Sequence, residues 1–207
     1  MESESVKQQL PIHFISITMK KLFYLIFSLG LLIPFLGHAQ SFTKSDKVAS
    51  LGIGVGSSLG SFDYSSQIPG ISLMYEQGIA EAGDVGVISL GGYLGYKSFG
   101  YETSSGGFTA KSKWNYTIIG ARGAFHFSKI PNEKLDVYAG LMASFNLLNY
   151  SYEDNSGMNT GSGGNFGNTA GLTIFGGARY YFSEKVAGFA ELGYGIAFLN
   201  LGISVKL

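Results

Sequence analysis

Large apolar side chains alternate with small or polar ones at the end of the chain. Every second position there is aliphatic: Leu199, Leu201, Ile203, Val205 and Leu207. The positions between them hold Asn, Gly, Ser and Lys. A period of two residues sorts side chains onto the opposite faces of a β-strand, whereas a helix repeats every 3.6 residues. The segment is therefore predicted to be a strand with one apolar face and one small or polar face.

The same alternation recurs in earlier runs, giving eight or nine candidate strands. Their apolar positions include Leu51, Ile53, Ile71, Leu73, Ile88, Leu90, Ile119, Phe125, Leu141, Phe145, Leu172, Ile174, Ala190 and Leu192. The pattern is ambiguous at residues 114–118, where a β-bulge is expected. Bacterial membrane barrels of one chain have an even strand number, and an unpaired edge is costly in lipid. The prediction is an all-β fold, an eight-stranded antiparallel up-and-down transmembrane β-barrel.

An export signal precedes these runs. Lys20 and Lys21 stand before the mostly apolar residues 22–36, and Gly37 and Ala39 supply small residues for a cleavage site. This is the order of a secretory signal peptide, and the apolar run is short for a membrane-spanning helix. We expect residues 1–18 to be a mis-assigned upstream extension, with Met19 as the true start. Residues 19–39 are the expected signal peptide, and residues 40–207 the outer-membrane barrel domain.

Composition favours a sheet with one face in lipid. The chain has 31 glycines in 207 residues, and only 14% of its residues are charged, against about 25% in soluble domains. The formal net charge of the chain is zero. The chain therefore lacks the basic character of nucleic-acid-binding proteins. There is no cysteine, so disulfide frameworks and thiolate metal sites are excluded.

Loop lengths predict the orientation. Short turns are expected at residues 81–84, 128–134 and 183–185, and longer polar loops at 60–69, 103–107 and 152–168. Membrane barrels have short periplasmic turns and long external loops, so both termini are expected in the periplasm. Aromatic residues are expected to form girdles at the two membrane surfaces. The outer girdle would contain Tyr96, Phe99, Tyr101, Trp114, Tyr150, Tyr152 and Tyr194.

Four charged residues share the small and polar face of their strands: Glu76, Arg122, Arg179 and Glu191. Counted from the short turns, they are expected at similar heights inside the barrel. Arg179 and Glu191 lie on neighbouring strands, nearly opposite each other. Two acids and two bases in a narrow interior should pair, because an isolated buried charge is costly. We favour a structural salt-bridge cluster over an ion or proton relay.

No catalytic, cofactor or metal site is predicted. His126 and Ser128 share one face in a His-x-Ser pair, the arrangement found in outer-membrane lipid A deacylases. No acid is expected beside His126, because the candidate position on the next strand is Gly140, and a triad needs a third group to orient the imidazole. The glycines at 52, 54 and 56 lie inside a predicted strand and are interpreted as small inward residues. The sequence therefore favours a protein that is not an enzyme.

The chain resembles the outer-membrane β-barrel proteins of Bacteroidetes, the family that includes PorT-like barrels. The resemblance rests on the Ala39–Gln40 junction, the glycine- and tyrosine-rich segment 88–96, Arg122 before His126, and segments 189–195 and 199–202. It covers nearly all of residues 40–207. One feature departs from that family: Leu207 ends the chain, where an aromatic residue is usual.

The expected role is that of a small outer-membrane barrel with a structural or interaction function, whose external loops form the contact surface. Its expected partners are outer-membrane lipid, the barrel-assembly machinery acting on the last strand, and an envelope protein. The alternative is a soluble or periplasmic lipocalin-like barrel that binds a small apolar ligand. The alternative needs an apolar interior and a polar exterior, the opposite of the pattern in this sequence.

Overall fold

The computed structural model describes residues 42–56, 64–155 and 167–207. The alternating runs form eight strands, whose bounds are β1 Lys47–Val55, β2 Ser66–Glu81, β3 Gly86–Ser105, β4 Phe108–Phe127, β5 Leu135–Asp154, β6 Thr169–Tyr181, β7 Val186–Gly193 and β8 Leu199–Lys206. Within the described ranges, no helix is long and apolar enough to cross a membrane.

The strands form a closed barrel. Each strand pairs antiparallel with the next, and β8 pairs antiparallel with β1 from Val48↔Lys206 to Val55↔Leu199. The predicted eight-stranded antiparallel up-and-down barrel is confirmed. We call the end that carries the β2–β3, β4–β5 and β6–β7 connections the turn end; β1 starts and β8 finishes there.

The barrel wall is much higher on one side. Strands β3, β4 and β5 have 20 residues each, whereas β7 and β8 have 8. We call residues 98–115 and 149–154 of the three long strands the sheet extension. Only Gly106 and Gly107 connect β3 to β4, both with positive φ, at 57° and 84°. A tight hairpin turn of this type needs positive φ at both positions. The predicted loop at 103–107 is therefore wrong, because most of it continues the strands.

The expected bulge at residues 114–118 is also wrong. The pairing of β4 with β3 and with β5 runs through this segment without a shift. The irregularities lie in β2 instead, between Ile68 and Ile71 and between Gly78 and Ala80. Pro69 lies within the first one and cannot donate a hydrogen bond to a neighbouring strand.

The polarity of the two faces inverts along the long strands, which explains the ambiguous pattern. In the sheet extension, the paired residues Phe99, Trp114 and Tyr150 lie on the face that continues the barrel interior. On the opposite face, Asn115 pairs with Ser98 and accepts its hydroxyl hydrogen bond at 2.8 Å.

The expected outer girdle is therefore only partly right. Phe99, Trp114 and Tyr150 belong to the inner face, and Tyr101 and Tyr152, two positions further on, share it. Tyr96 and Tyr194 are on the barrel's outside and are 38% and 69% exposed.

The barrel is apolar outside and mixed inside. Leu51, Leu172 and Ile203 are at least half exposed on the outer surface. The interior contains buried charged residues together with an apolar cluster of Met74, Tyr93, Ile118, Ala124, Tyr138, Met142, Phe175, Phe189, Ile196 and Ala197. The core of the molecule is thus the filled lumen.

Candidate functional site

The structure places the four charged residues singled out by the sequence inside the barrel. Glu76, Arg122 and Arg179 are at most 2% exposed, and Glu191 is 7% exposed. They come from β2, β4, β6 and β7, so the closed wall directs them toward a common centre. Their partners differ in part from those expected.

Glu191 pairs across the lumen with Arg122 rather than with its strand neighbour Arg179. Arg122 Nη2 donates to Glu191 Oε2 at 2.6 Å, and Nη1 donates to Oε1 at 3.2 Å. The hydroxyl of Tyr138 donates to Glu191 Oε2 at 3.0 Å. The Arg122 guanidinium also lies over the Phe175 ring, 3.9 Å from its centroid. This carboxylate is therefore held by a two-point guanidinium contact and a phenol.

Arg179 is held by two carboxylates. It donates from Nη2 to Glu76 Oε2, and from Nη1 to Asp136 Oδ2 at 3.1 Å. Glu76 Oε1 also lies 3.8 Å from Arg122 Nη2, so Glu76 connects the two arginines. We call Glu76, Arg122, Asp136, Arg179 and Glu191, with His126, the lumen ion network.

Asp136 was missed as a member of this network, although the sequence carries a signal for it. Its position in the alternation places it on the inward face of β5, and it pairs directly across the strands with Arg179. Asp136 is not a mid-strand charge, because it is the second residue of β5, next to the turn.

His126 links this network to a serine. Its Nδ1 lies 2.8 Å from Asp136 Oδ1, and its Nε2 lies 3.0 Å from Ser89 Oγ. The expectation that no acid accompanies His126 is thus wrong, since the acid is Asp136. The adjacent hydroxyl belongs to Ser89, not to Ser128. Three residues from different strands therefore have the spacing of a Ser-His-Asp triad.

This triad-like group is closed off from solvent. Ser89, His126 and Asp136 are each about 1% exposed. The Phe42 ring, on the segment before β1, stacks on the imidazole at 3.8 Å with an interplanar angle of 14°. A reacting carbonyl needs space beside both the nucleophile and its hydrogen-bond donors. The packing instead makes Asp136 a shared acceptor for His126 and Arg179.

Asp46 anchors the covering segment at the turn end. The Thr43 amide donates to Asp46 Oδ2 at 2.8 Å, and the Gly78 amide donates to the Asp46 carbonyl at 2.9 Å. Lys206 on β8 lies 3.0 Å from the same carboxylate. The segment is thus fixed to both β2 and β8.

The β7–β8 connection closes the other end of the lumen. Ile196 turns inward, is fully buried, and donates its amide to the Tyr93 hydroxyl at 3.3 Å. A Cβ atom at Gly70 or Gly95 would come within 3.1 Å of the Ile196 side chain. Glycine at these two positions therefore makes room for the inserted residue.

The lumen between the two ends is filled. A cavity of about 10 Å³ remains beside Arg122, Glu191 and Asn200, about enough for one water molecule. Among the described residues, no group of three or more His, Cys, Asp or Glu side chains could hold a metal ion. The interior is thus a packed polar and aromatic core.

The outer surface carries an apolar band with a sharp upper limit. The outward side chains of β3, β4 and β5 form rows across the paired strands. On β4 these rows run from Phe127 at the turn end through Ile119 to Thr117, which pairs with Tyr96 of β3. The next row is Ser98, Asn115 and Asn149. Ten residues from 127 to 117 span about 33 Å along a strand. A tilt of roughly 40° reduces this to a height of about 25 Å.

A groove of about 510 Å³ lies at the base of the sheet extension, above this band. Its lining residues are Ser65, Ser66, Gln67, Ile68, Ser98, Gly100, Tyr101, Glu102, Lys111, Ser112 and Lys113. It contains two lysines and one carboxylate, and is separate from the lumen ion network.

No known family and no curated protein matches the chain. Among solved structures, it is similar to Ail, the attachment invasion locus protein of Yersinia pestis, in complex with the heparin analogue sucrose octasulfate. That match has 15% identity and a TM-score of 0.48, and covers 79% of this chain and 96% of Ail. It is also similar to Neisserial surface protein A, with 17% identity and a TM-score of 0.44, covering 78% and 96% of the two chains.

Proposed function

We propose that this chain is a small outer-membrane barrel with a structural or interaction role, not an enzyme. The observation that carries the proposal is the apolar band, whose height of about 25 Å equals that of the lipid-facing band of outer-membrane barrels. Every backbone group of a membrane-spanning strand needs a partner, and the closure of β8 on β1 supplies it.

The filled lumen supports a role without transport. Ile196 and Phe42 close the two ends, and the lumen ion network together with the apolar cluster fills the space between them. Eight strands leave an interior just wide enough for side chains. The lipocalin-like alternative is disfavoured, because a soluble apolar-ligand carrier needs an apolar cavity where this barrel has paired ions.

The sheet extension is the proposed contact surface. With the turn end in the periplasm, as the short connections favour, the extension projects from the outer face of the membrane. An envelope or external partner would meet Lys111, Lys113, Glu102 and Glu153, which are exposed there. The assembly machinery is proposed to engage β8, despite the aliphatic Leu207 at its end.

Fractionation of cells that make the native protein tests this proposal. We expect the chain in the outer-membrane fraction, with a gel mobility that changes when the sample is boiled, because a folded barrel resists unfolding by detergent in the cold. Recovery as a dispersed monomer in detergent-free buffer would contradict the proposal and favour the soluble alternative.

A further inference from the structure

We propose that the free edge of β5 in the sheet extension binds an extended segment of another protein, which joins the sheet as an added strand. The inference rests on the proposed function, because it places a partner on the sheet extension. It adds to that function the place of contact and the mode of recognition.

The edge begins where β5 loses one of its two neighbouring strands. β5 pairs with β6 only as far as Asn146↔Thr169, whereas it pairs with β4 as far as Asp154. Open strand edges do not occur in the hydrocarbon of a membrane. This edge starts at the upper limit of the apolar band, where Leu147 pairs with Thr117. It is therefore placed where water or a partner can reach it.

Two residues of this edge present free backbone groups. Along a strand between two neighbours, successive residues turn their amide and carbonyl groups to opposite sides. Asn155 donates its amide to a carbonyl of β4 at 3.1 Å, and Leu148 donates its amide to Asn168 Oδ1 at 3.3 Å on the other side. Tyr150 and Tyr152 turn the same way as Leu148, and no residue in the described ranges pairs with them there.

The other edge of the sheet extension, on β3, is covered in part by the chain itself. Ser65 donates its amide to the Gly100 carbonyl at 2.9 Å, and Glu102 donates its amide to Ser65 Oγ at 2.9 Å. One residue between Glu102 and the hairpin, Ser104, turns its amide to this side. The β5 edge is thus the longer free edge of the two.

The β5 edge lacks most of the features that keep strand edges from pairing. Proline, lysine and β-bulges commonly serve this purpose in natural sheets. Residues 148–152 are Leu, Asn, Tyr, Ser and Tyr, and the pairing of this segment with β4 shows no shift. The acids Glu153 and Asp154 come only after it, at the tip. The middle of the edge is therefore open to an incoming strand.

The side chains beside the edge indicate the chemistry of the partner. Tyr150 and Tyr152 are half-buried on the inner face, and the Tyr150 ring packs on Trp114 at 5.3 Å. Asn149 is exposed on the outward face. Side chains that lie opposite each other on paired strands contact on the same face. The partner segment should therefore alternate aromatic or aliphatic residues with polar ones.

Continuity with the existing sheet favours a strand over other occupants. An added segment would continue the line of β6 and extend the β5–β6 pairing beyond Asn146↔Thr169. In strand addition, main-chain hydrogen bonds give affinity and alternate side chains give specificity. The free groups of Tyr150 and Tyr152 supply the first, and their rings supply the second.

The test uses the chain starting at Gln40, folded in detergent, and follows its backbone amides by NMR. The probe is a synthetic peptide with the sequence of residues 110–117, which already pairs with the other side of β5. The control peptide has the same side chains but carries methyl groups on its backbone nitrogens, so it cannot donate hydrogen bonds to a strand.

Two proline variants give a matched comparison of the two edges. Tyr152→Pro removes an amide donor from the β5 edge, and Ser104→Pro removes the equivalent donor from the β3 edge. Proline is tolerated on an edge strand where the amide faces solvent. Both variants are therefore expected to fold.

We expect the peptide to slow hydrogen exchange at the Tyr150 and Tyr152 amides of the wild-type chain, because pairing protects them. Exchange at Ser151 and Glu153, which turn toward β4, should be slow with or without the peptide. Tyr152→Pro should weaken peptide binding about fivefold, the usual effect of losing one hydrogen bond. Ser104→Pro should bind the peptide like the wild-type chain, and the methylated peptide should protect no amide.

Unchanged exchange at Tyr150 and Tyr152 in the presence of the peptide would overturn the inference. So would equal protection by the methylated peptide, or equal weakening of binding in Ser104→Pro and Tyr152→Pro. Protection of the same amides that rises with protein concentration in the absence of peptide would assign the edge to a second copy of this chain, and would also overturn it.

Heat-modifiable gel mobility separates this inference from the proposed function. If the wild-type chain folds as a barrel in detergent but the peptide protects no amide, only the strand-addition site is wrong. If the chain is recovered as a dispersed monomer in detergent-free buffer, the membrane assignment fails, and the peptide experiment in that buffer still decides the edge.

Discussion

Glu191 shows what a single buried charge requires of its surroundings. The Arg122 guanidinium and the Tyr138 hydroxyl both hold its carboxylate. Once buried, a charge is stable only while its partners remain, and removing one partner of a buried pair typically costs about 3–5 kcal/mol. The network is therefore more sensitive to single substitutions than to the replacement of a whole pair.

We expect Glu191→Ala to lower the free energy of unfolding by about 3–5 kcal/mol, because it leaves Arg122 buried without its main carboxylate. Urea unfolding in detergent or lipid measures this loss. Glu102→Ala, at an exposed carboxylate, is the control and should change stability by less than about 0.5 kcal/mol. Combining Arg122→Met with Glu191→Leu should recover much of the loss; a double variant as unstable as Glu191→Ala would argue against an ion-pair explanation.

Phe42 has a role that can be measured through one histidine. In a chain starting at Gln40, His126 is the single histidine, and the Phe42 ring covers it. We expect diethylpyrocarbonate to modify His126 slowly in the wild-type chain and much faster in Phe42→Ala, because the substitution opens the turn end. Phe108→Ala at the distant hairpin tip should leave the rate unchanged. Equal rates in all three chains would show that Phe42 does not shield the lumen.

The strands themselves could be predicted from the sequence because the outside and the lumen of the barrel carry opposite kinds of side chain at alternate positions. Leu199 to Leu207 reveals β8 directly. This alternation was misleading above Tyr96, because there the outward face becomes polar and the aromatic Trp114 lies on the inner face. The bulge predicted there came from reading this inversion as a shift of register.

Strand neighbours do not predict every partner of the lumen charges. Arg122 and Glu191 lie on β4 and β7, which are not adjacent, and meet only because the sheet closes. Asp136 and Ser89, in contrast, reach His126 from the two strands that pair with β4. The sequence predicts which face carries a charge, whereas the partner depends on the length and curvature of the wall.

The β7–β8 connection inserts Ile196 into the end of the barrel, and the contribution of this residue to stability can be measured. We expect Ile196→Ala to destabilise the barrel by about 2–5 kcal/mol, the usual cost of truncating a fully buried isoleucine. Ile68→Ala, at a residue that is 45% exposed, should cost less than about 1.5 kcal/mol. Urea unfolding of both variants gives the comparison, and similar losses would mean that Ile196 contributes no more than a surface residue.

At the scale of the whole molecule, the sites are arranged by height. The turn end is closed by the segment carrying Phe42, the lumen ion network lies above it, and Ile196 closes the other end. Outside, the apolar band gives way to the polar row at Ser98 and then to the groove lysines. One chain thus combines a filled interior, an apolar outer belt and a projecting sheet.

The most direct test of this account asks what surrounds the outward leucines. The chain has no cysteine, so single-cysteine variants at Leu73, Leu141 and Thr103 can each carry one fluorophore in lipid vesicles. Leu73 and Leu141 are about half exposed in the apolar band, whereas Thr103 lies in the sheet extension. Lipids with brominated acyl chains should quench the fluorophore at positions 73 and 141 but not at 103. Quenching at 73 and 141 by aqueous iodide, with no effect of brominated lipid, would contradict the account.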